Sequence, residues 1–343
     1  MAAMPRHAWA RYPDSKLLDM RLKDLKLSLE RTWVMRCVNM LYDELAARDL
    51  RIHPRVWISD EWFSPVGTPG IAIPFYLTHP RLKRLERAQI IDVEGGTVSE
   101  CMRILRHEAG HVLQHAFNLH RRRRYQQLFG HSTKKYPEYY RPNPASKRYV
   151  QHLRLWYAQS HPDEDFAETF AVWLTPGSAW RKRYAGMPAL KKLEYVDELM
   201  KEIAGTWPQL KRGPLVDPIS TLTKTLREHY DKKTKLYTLE TPKIYDKDLL
   251  RIFSAKSRSK TAPPASRFIR RHRKHLREVA YKWTGEHQLT LNSILDHMVS
   301  RCRELKLRAV GSERKLLTDF TVLFTAQAVK SVYNPSRRMW LAL

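Results

Sequence analysis

Apolar residues return every three or four positions through most of this chain, and the places where that rhythm changes mark its strands and turns. From Ser15 to Arg48, the residues Leu18, Leu22, Leu25, Leu29, Trp33, Cys37, Met40, Leu41 and Leu45 keep the period of an amphipathic helix. One long helix with at most a single break is therefore expected. RVWISDEWF alternates and is rich in aromatic and β-branched residues, which predicts a strand. SPVGTPG follows as turn chemistry, and GIAIPFYL reads as a second strand. Pro74 cannot donate a ladder hydrogen bond, so that strand is expected at a sheet edge.

The helical period resumes at Ser99 to Phe117, entered through Gly95-Gly96-Thr97, with Ser99 or Thr97 as N-cap and Met102, Leu105, Ala109, Val112 and Ala116 as the buried face. The basic cluster from His120 to Arg124 ends it. Residues 130–146 mix Gly, Pro, Asn, Ser and several Tyr, the composition of an ordered irregular loop. Further helices are predicted from Lys147 to Ser160, from an Asp163 cap to Leu174, and over Pro176 to Gly205. GTWPQLKRGP reads as a domain boundary, with two or three helices beyond it ending near Tyr333. The expected fold is thus α+β: a mainly helical domain with a small mixed sheet over residues 1–205, then a helical region over 206–343.

Composition narrows the partners. The 343 residues are 43% apolar, enough for a packed core, yet Lys and Arg outnumber Asp and Glu by 62 to 35, for a net charge of +27. A field of that sign favours nucleic acid, anionic lipid or carboxylate-rich polypeptides, although a solvated basic surface would read the same way. The charge concentrates in the final third. Lys256, Arg258, Lys260, Arg267, Arg270, Arg271, Arg273, Lys274, Arg277 and Lys282 face the single acid Glu278 between residues 254 and 282. Phe268, Tyr281 and Trp283 lie among them, suited to stacking on bases and, more simply, to core packing. Cys37, Cys101 and Cys302 are too few and too scattered for a disulfide framework or a cysteine zinc site. Nothing resembles a secretion signal, and no apolar run approaches the ~18 residues of a membrane span, so a cytoplasmic protein is expected.

Candidate chemistry sits in ILRHEAGHVLQHAF. On a helix, His107 and His111 share a face and can turn imidazole nitrogens toward one cation, with Glu108 close enough to act on a water there. A catalytic zinc needs a third protein ligand. His115 lies a turn too far along, His120 falls in an exposed basic stretch, and Phe117 stands where a third histidine of another zinc pattern would be. HPDEDFAETF offers a better source: Glu164 and Glu168 lie four apart on a predicted helix, one to ligate zinc and the other to orient a ligand histidine. The assignment is Glu164 as ligand and Glu168 behind His107 or His111; acids that only complement the helix dipole are the plainer account. Tyr157, seven residues before Glu164, is placed to stabilise an oxyanion, or else is a buried structural tyrosine.

Four segments, DEWFSPVGTPGIAIPFYLTHPRL, VEGGTVSECMRILRHEAGH, FGHSTKKYPEYYRPNPASKRYVQHLRLWYAQSHPDEDFAETFAVWLTP and YAGMPALKKLEYVDELM, carry a resemblance to the bacterial family named Putative zinc-binding metallopeptidase. The resemblance covers the first two thirds of the chain and implies a zincin-like domain with a gluzincin-type site. His107, His111 and Glu164 match its ligands for one zinc ion, and Glu108 its general base. The spacing of Tyr157, Glu164 and Glu168 is also similar to that in the catalytic domain of anthrax lethal factor. The N-terminal zinc-ribbon of many relatives is absent here.

Peptide or amide hydrolysis is the expected activity, on a substrate that the charge suggests is acidic. Gly70, Ile71, Ala72 and Ile73 are candidates to hold substrate backbone by strand addition, unless Pro74 simply guards an edge. A different expectation is that the basic C-terminal region binds DNA or RNA and the zinc site is proteolytic or structural. A scaffold with a dead site is the third, disfavoured by the presence of Glu108.

Overall fold

The computed structural model describes residues 7–137, 140–237, 245–255 and 262–332. They divide into two compact units, one of residues 7–89 and 93–231, the other of 90–92 and 232–332. The mainly helical α+β architecture is as the pattern predicts, with one small two-stranded sheet among the described residues. Among the described residues no helix is long and apolar enough to cross a membrane.

The first unit opens differently from expectation. Instead of one long helix, the chain forms α1 (Asp14–Leu18), a 3-10 turn at Leu22–Leu25, and α2 (Trp33–Ala46). Leu22, Leu25, Cys37, Leu41 and Leu45 are buried as the rhythm predicts, but Leu17 turns inward in place of Leu18, and Met40 is exposed. The backbone between, however, takes other partners: Leu22 and Lys23 N–H groups donate to the carbonyls of Lys224 and Leu222. Lys26 and Arg31 adopt left-handed φ of 47° and 60°, which no continuing helix allows. Thr32 then caps α2 by accepting the Met35 N–H at 3.1 Å.

β1 (Arg55–Ser59) and β2 (Gly70–Pro74) pair in parallel, with Arg55 opposite Gly70. The sheet is this one parallel pair, extended by an isolated antiparallel bridge between Phe63 and Ala72. Gly70 is dictated by space, since a Cβ there would stand 2.4 Å from the Arg55 carbonyl oxygen.

After α3 (Pro80–Ile90) comes α4 (Val98–Ala116), capped by Thr97, whose hydroxyl accepts the Glu100 N–H. Arg106 ties α4 to α2 through a two-armed pair with Glu44 at 2.6 and 2.7 Å. α5 (Arg123–Phe129) follows, then a long irregular stretch to α6 (Pro162–Leu174), α7 (Trp180–Arg183), α8 (Ala189–Ile203) and α9 (Leu226–Tyr237). The helix expected from Lys147 to Ser160 is reduced to a 3-10 segment, Arg154–Gln159, in which Leu155 and Trp156 are left-handed. Its upstream N–H groups, those of His152 and Leu153, are drawn to the Glu168 carboxylate instead of to helical carbonyls. His161, not Asp163, caps α6, its Nδ1 accepting the Asp163 N–H.

The expected boundary near residue 205 also moves. Residues 206–231 pack back on the first unit: Gln209 and Leu210 N–H groups donate to the Ala116 carbonyl, and Trp57 Nε1 donates to the Val216 carbonyl. The second unit holds α10 (Asp246–Ile252), α11 (Ala265–Thr284), α12 (Gln288–Glu304) and α13 (Glu313–Val332) around Phe253, Phe268, Leu276, Met298, Phe320 and Phe324. Lys256, Arg258, Lys260 and the predicted helix end at Tyr333 lie outside the described residues.

What positions the site is the contact of α4 with α6. Every residue of α6 is buried, and at Gly110 the two backbones come so close that a Cβ would sit 2.8 Å from Ala167 Cα. In a free helix Gly→Ala stabilises by about 0.5–1 kcal/mol. Here overpacking costs about 1–3 kcal/mol, so Gly110→Ala is expected to lower the melting temperature and weaken metal binding together. An unchanged melting curve would show that the contact has slack.

Candidate metal centre

One turn of α4 separates His107 from His111, and their Nε2 atoms lie 3.2 Å apart. The first turn of α6 brings in Glu164, whose Oε2 is 3.1 Å from His107 Nε2 and 3.2 Å from His111 Nε2. All three residues are buried. The three atoms make a nearly equilateral triangle. A tetrahedral zinc with bonds of ~2.0 Å requires ligand atoms about 3.3 Å apart, so the triangle has the size of one tetrahedral face.

Glu168, a turn further along α6, fixes the direction of one imidazole. Its Oε1 lies 2.9 Å from His107 Nδ1, and a carboxylate can only accept, so Nδ1 carries the proton and Nε2 is left facing the triangle. The other oxygen of Glu168 accepts the N–H groups of His152 at 3.2 Å and Leu153 at 2.8 Å.

Glu108 differs from its neighbours. It is fully buried, and among the described residues neither carboxylate oxygen has a hydrogen-bond partner. A buried carboxylate left this way is costly unless something in the site supplies a donor or a positive charge. Three converging metal donors beside an unpartnered carboxylate fit a divalent cation and the water it carries.

The charged groups of the cluster act on one another against the effect of burial. Burial alone would hold His107 neutral, but hydrogen bonds to Glu164 and Glu168 prevail and raise its pKa to about 10. His111 moves the same way, burial again being overcome by Glu164. Glu164 is also opposed by burial, and the two histidines hold it well below the ordinary carboxylate range.

Tyr157 is buried with its ring 5.6 Å from that of His107, and burial followed by the Glu164 charge keeps its phenol protonated. His115 and His120 stand outside the triangle and pack on each other, ring centroids 5.4 Å apart. Gly70, Ile71, Ala72 and Ile73 are not at an open edge. All four are buried, β1 occupies one side of the strand, and the Ala72 N–H donates to the Phe63 carbonyl on the other, so strand addition there has no free edge. Tyr136 was not singled out in the sequence, yet its hydroxyl donates to Glu164 Oε1 at 2.8 Å. The tyrosines of the 130–146 loop were its signal, but composition does not say which of them reaches a carboxylate.

Residues 100–212 match the family described as Putative zinc-binding metallo-peptidase. The matched segment contains His107, Glu108, His111, Tyr157, Glu164 and Glu168. The upstream sheet, which the resemblance had included, lies outside it. No curated protein and no solved structure matches the chain.

Metal ligands must be deprotonated. Because His107 keeps its proton up to about 10, zinc titrated into metal-free protein at neutral pH is expected to release protons, and its affinity to climb with pH until that value is passed. Calorimetry in buffers of different ionisation enthalpy reads the proton count; none released would contradict the coupled cluster. Glu168→Gln is expected to weaken zinc by about 10–100-fold, because the amide can still accept from His107 but leaves the site one charge short.

Proposed function

We propose that the chain is a gluzincin-type zinc metallopeptidase that hydrolyses peptide or amide bonds. The observation that carries this is the buried triangle of His107, His111 and Glu164 with the unpartnered carboxylate of Glu108 beside it. One zinc ion, held by those three residues, would supply the Lewis acid chemistry that makes water a nucleophile near neutral pH.

The remaining steps belong to side chains. Glu108 accepts a proton from the attacking water and returns it to the leaving amine, one group serving as base and then acid. Its burial suits that shuttle, since no donor among the described residues competes for its oxygens. Tyr157, kept protonated, donates toward the oxyanion of the tetrahedral intermediate. Glu168 holds the His107 Nδ1 proton, so Nε2 is the atom that would give up its proton to meet the metal. Lys134 and Lys135 are exposed next to Tyr136 and make no ion pair among the described residues, which favours acidic polypeptides as substrates. The three cysteines are buried and unpaired in disulfides, which suits a reducing, cytoplasmic setting.

Glu108→Gln is expected to keep stoichiometric zinc and lose hydrolysis by about 10²–10⁴-fold across a peptide library, acidic peptides included. Equal cleavage by both proteins would remove Glu108 from the mechanism.

A second reading, binding of single-stranded nucleic acid by the second unit, is favoured by one observation. Phe268 is buried in the core and Tyr281 packs against it, but Trp283 is 70% exposed at the end of α11. The same helix exposes Arg267, Arg270, Arg271, Lys274 and Lys282. Arg271 and Lys274 meet carboxylates only at 3.5 and 3.9 Å on the surface, contacts that a phosphate readily replaces. Base stacking contributes about 1–3 kcal/mol, so Trp283→Ala is expected to weaken oligonucleotide binding about tenfold, and added salt to weaken it further. Identical affinities for the variant and the parent would discard this reading.

A further inference from the structure

We propose that Tyr136 is a positioning residue of the metal centre, carried on a strap of residues 131–137 that makes Glu164 present a single oxygen to the cation. The proposal rests on the zinc reading of the same cluster and adds a component that neither histidine helix nor glutamate helix contains.

The two oxygens of Glu164 have separate surroundings. Oε2 faces both imidazoles at 3.1 and 3.2 Å, while Oε1 accepts the Tyr136 hydroxyl at 2.8 Å. A glutamate with both oxygens free can bind a cation through either one or both. With Oε1 held by a neutral donor, only Oε2 remains for the metal, and the position that a second carboxylate oxygen would take stays open for water and substrate.

The strap is built to hold that hydroxyl. It begins after Gly130, at φ 104°, where a Cβ would meet Pro162 at 3.2 Å. Ser132 Oγ donates to Asp163 Oδ1 at 2.5 Å, an oxygen that also accepts from Gln114 Nε2 at 2.6 Å. His161 lies 2.7 Å from the Lys134 carbonyl through Nε2, and its Nδ1 accepts the Asp163 N–H, so the ring is the neutral Nε2–H tautomer. The Tyr136 ring stacks on this same imidazole, centroids 3.7 Å apart and planes 13° from parallel. These contacts end on residues 161–164, the turn that carries the ligand. The tyrosine is nevertheless 44% exposed.

Tyr136→Phe keeps the stacking ring and removes only the hydroxyl. The test compares the parent and this variant with one Co(II) or one Zn(II) per chain, reading visible absorption of the cobalt protein and zinc affinity by chelator competition. The parent is expected to show the strong absorption of four-coordinate cobalt. The variant should keep one metal per chain, bind zinc about 10–100-fold more weakly and show the weaker absorption of five-coordinate cobalt as Glu164 becomes bidentate. Ser132→Ala, which loosens the strap without touching Glu164, should shift both readouts in the same direction by less. A parent that binds neither metal would sink the zinc reading itself. A metal-binding parent whose spectrum and affinity match those of Tyr136→Phe would overturn the role of Tyr136 and leave the zinc reading standing.

Discussion

The backbone contact between α4 and α6 at Gly110 and Ala167 is the constraint on which the rest depends. It sets the distance between two helices so that imidazoles from one and carboxylates from the other converge on one buried point. A wider spacing would leave His107, His111 and Glu164 as separately solvated groups. At the spacing observed, their atoms form a triangle with sides of 3.1–3.2 Å.

Bringing α6 that close buries an unusual quantity of charge, and the first turns of the helix show how each piece is compensated. Asp163 is met by Gln114 and Ser132. Asp165 is paired with Lys192 at 2.5 Å, although burial still raises its pKa to about 7. Glu164 is met by the two histidines and Tyr136, and Glu168 by His107 and two backbone N–H groups. Glu108 differs: among the described residues neither of its oxygens has a partner, and a buried carboxyl group so placed is costly unless function requires it. The exception is the residue proposed as the general base.

The same compensation explains the irregular chain around the site. Glu168 takes two N–H groups from residues 152 and 153, and the helix that periodicity predicts there cannot form. His161 caps α6, binds the strap and stacks on Tyr136, so one ring couples helix, loop and ligand. Left-handed residues at Leu155 and Trp156 are the backbone cost of this arrangement.

Much of this was legible in the chain itself. Spacing of four placed His107 with His111 and Glu164 with Glu168, because an α-helix returns to the same face at that interval. Gly95-Gly96-Thr97 announced the start of α4, and alternation announced β1, both through local rules that need no distant partner. Tertiary structure decided the rest: the broken helix before Trp33, the burial of Gly70–Ile73 between β1 and Phe63, the closure of residues 206–231 onto the first unit, and the arrival of Tyr136 at Glu164. In each case a backbone or side-chain group chose between a local partner and one many residues away. Local periodicity is blind to that choice, because a hydrogen bond between segments far apart in the chain leaves no repeat behind.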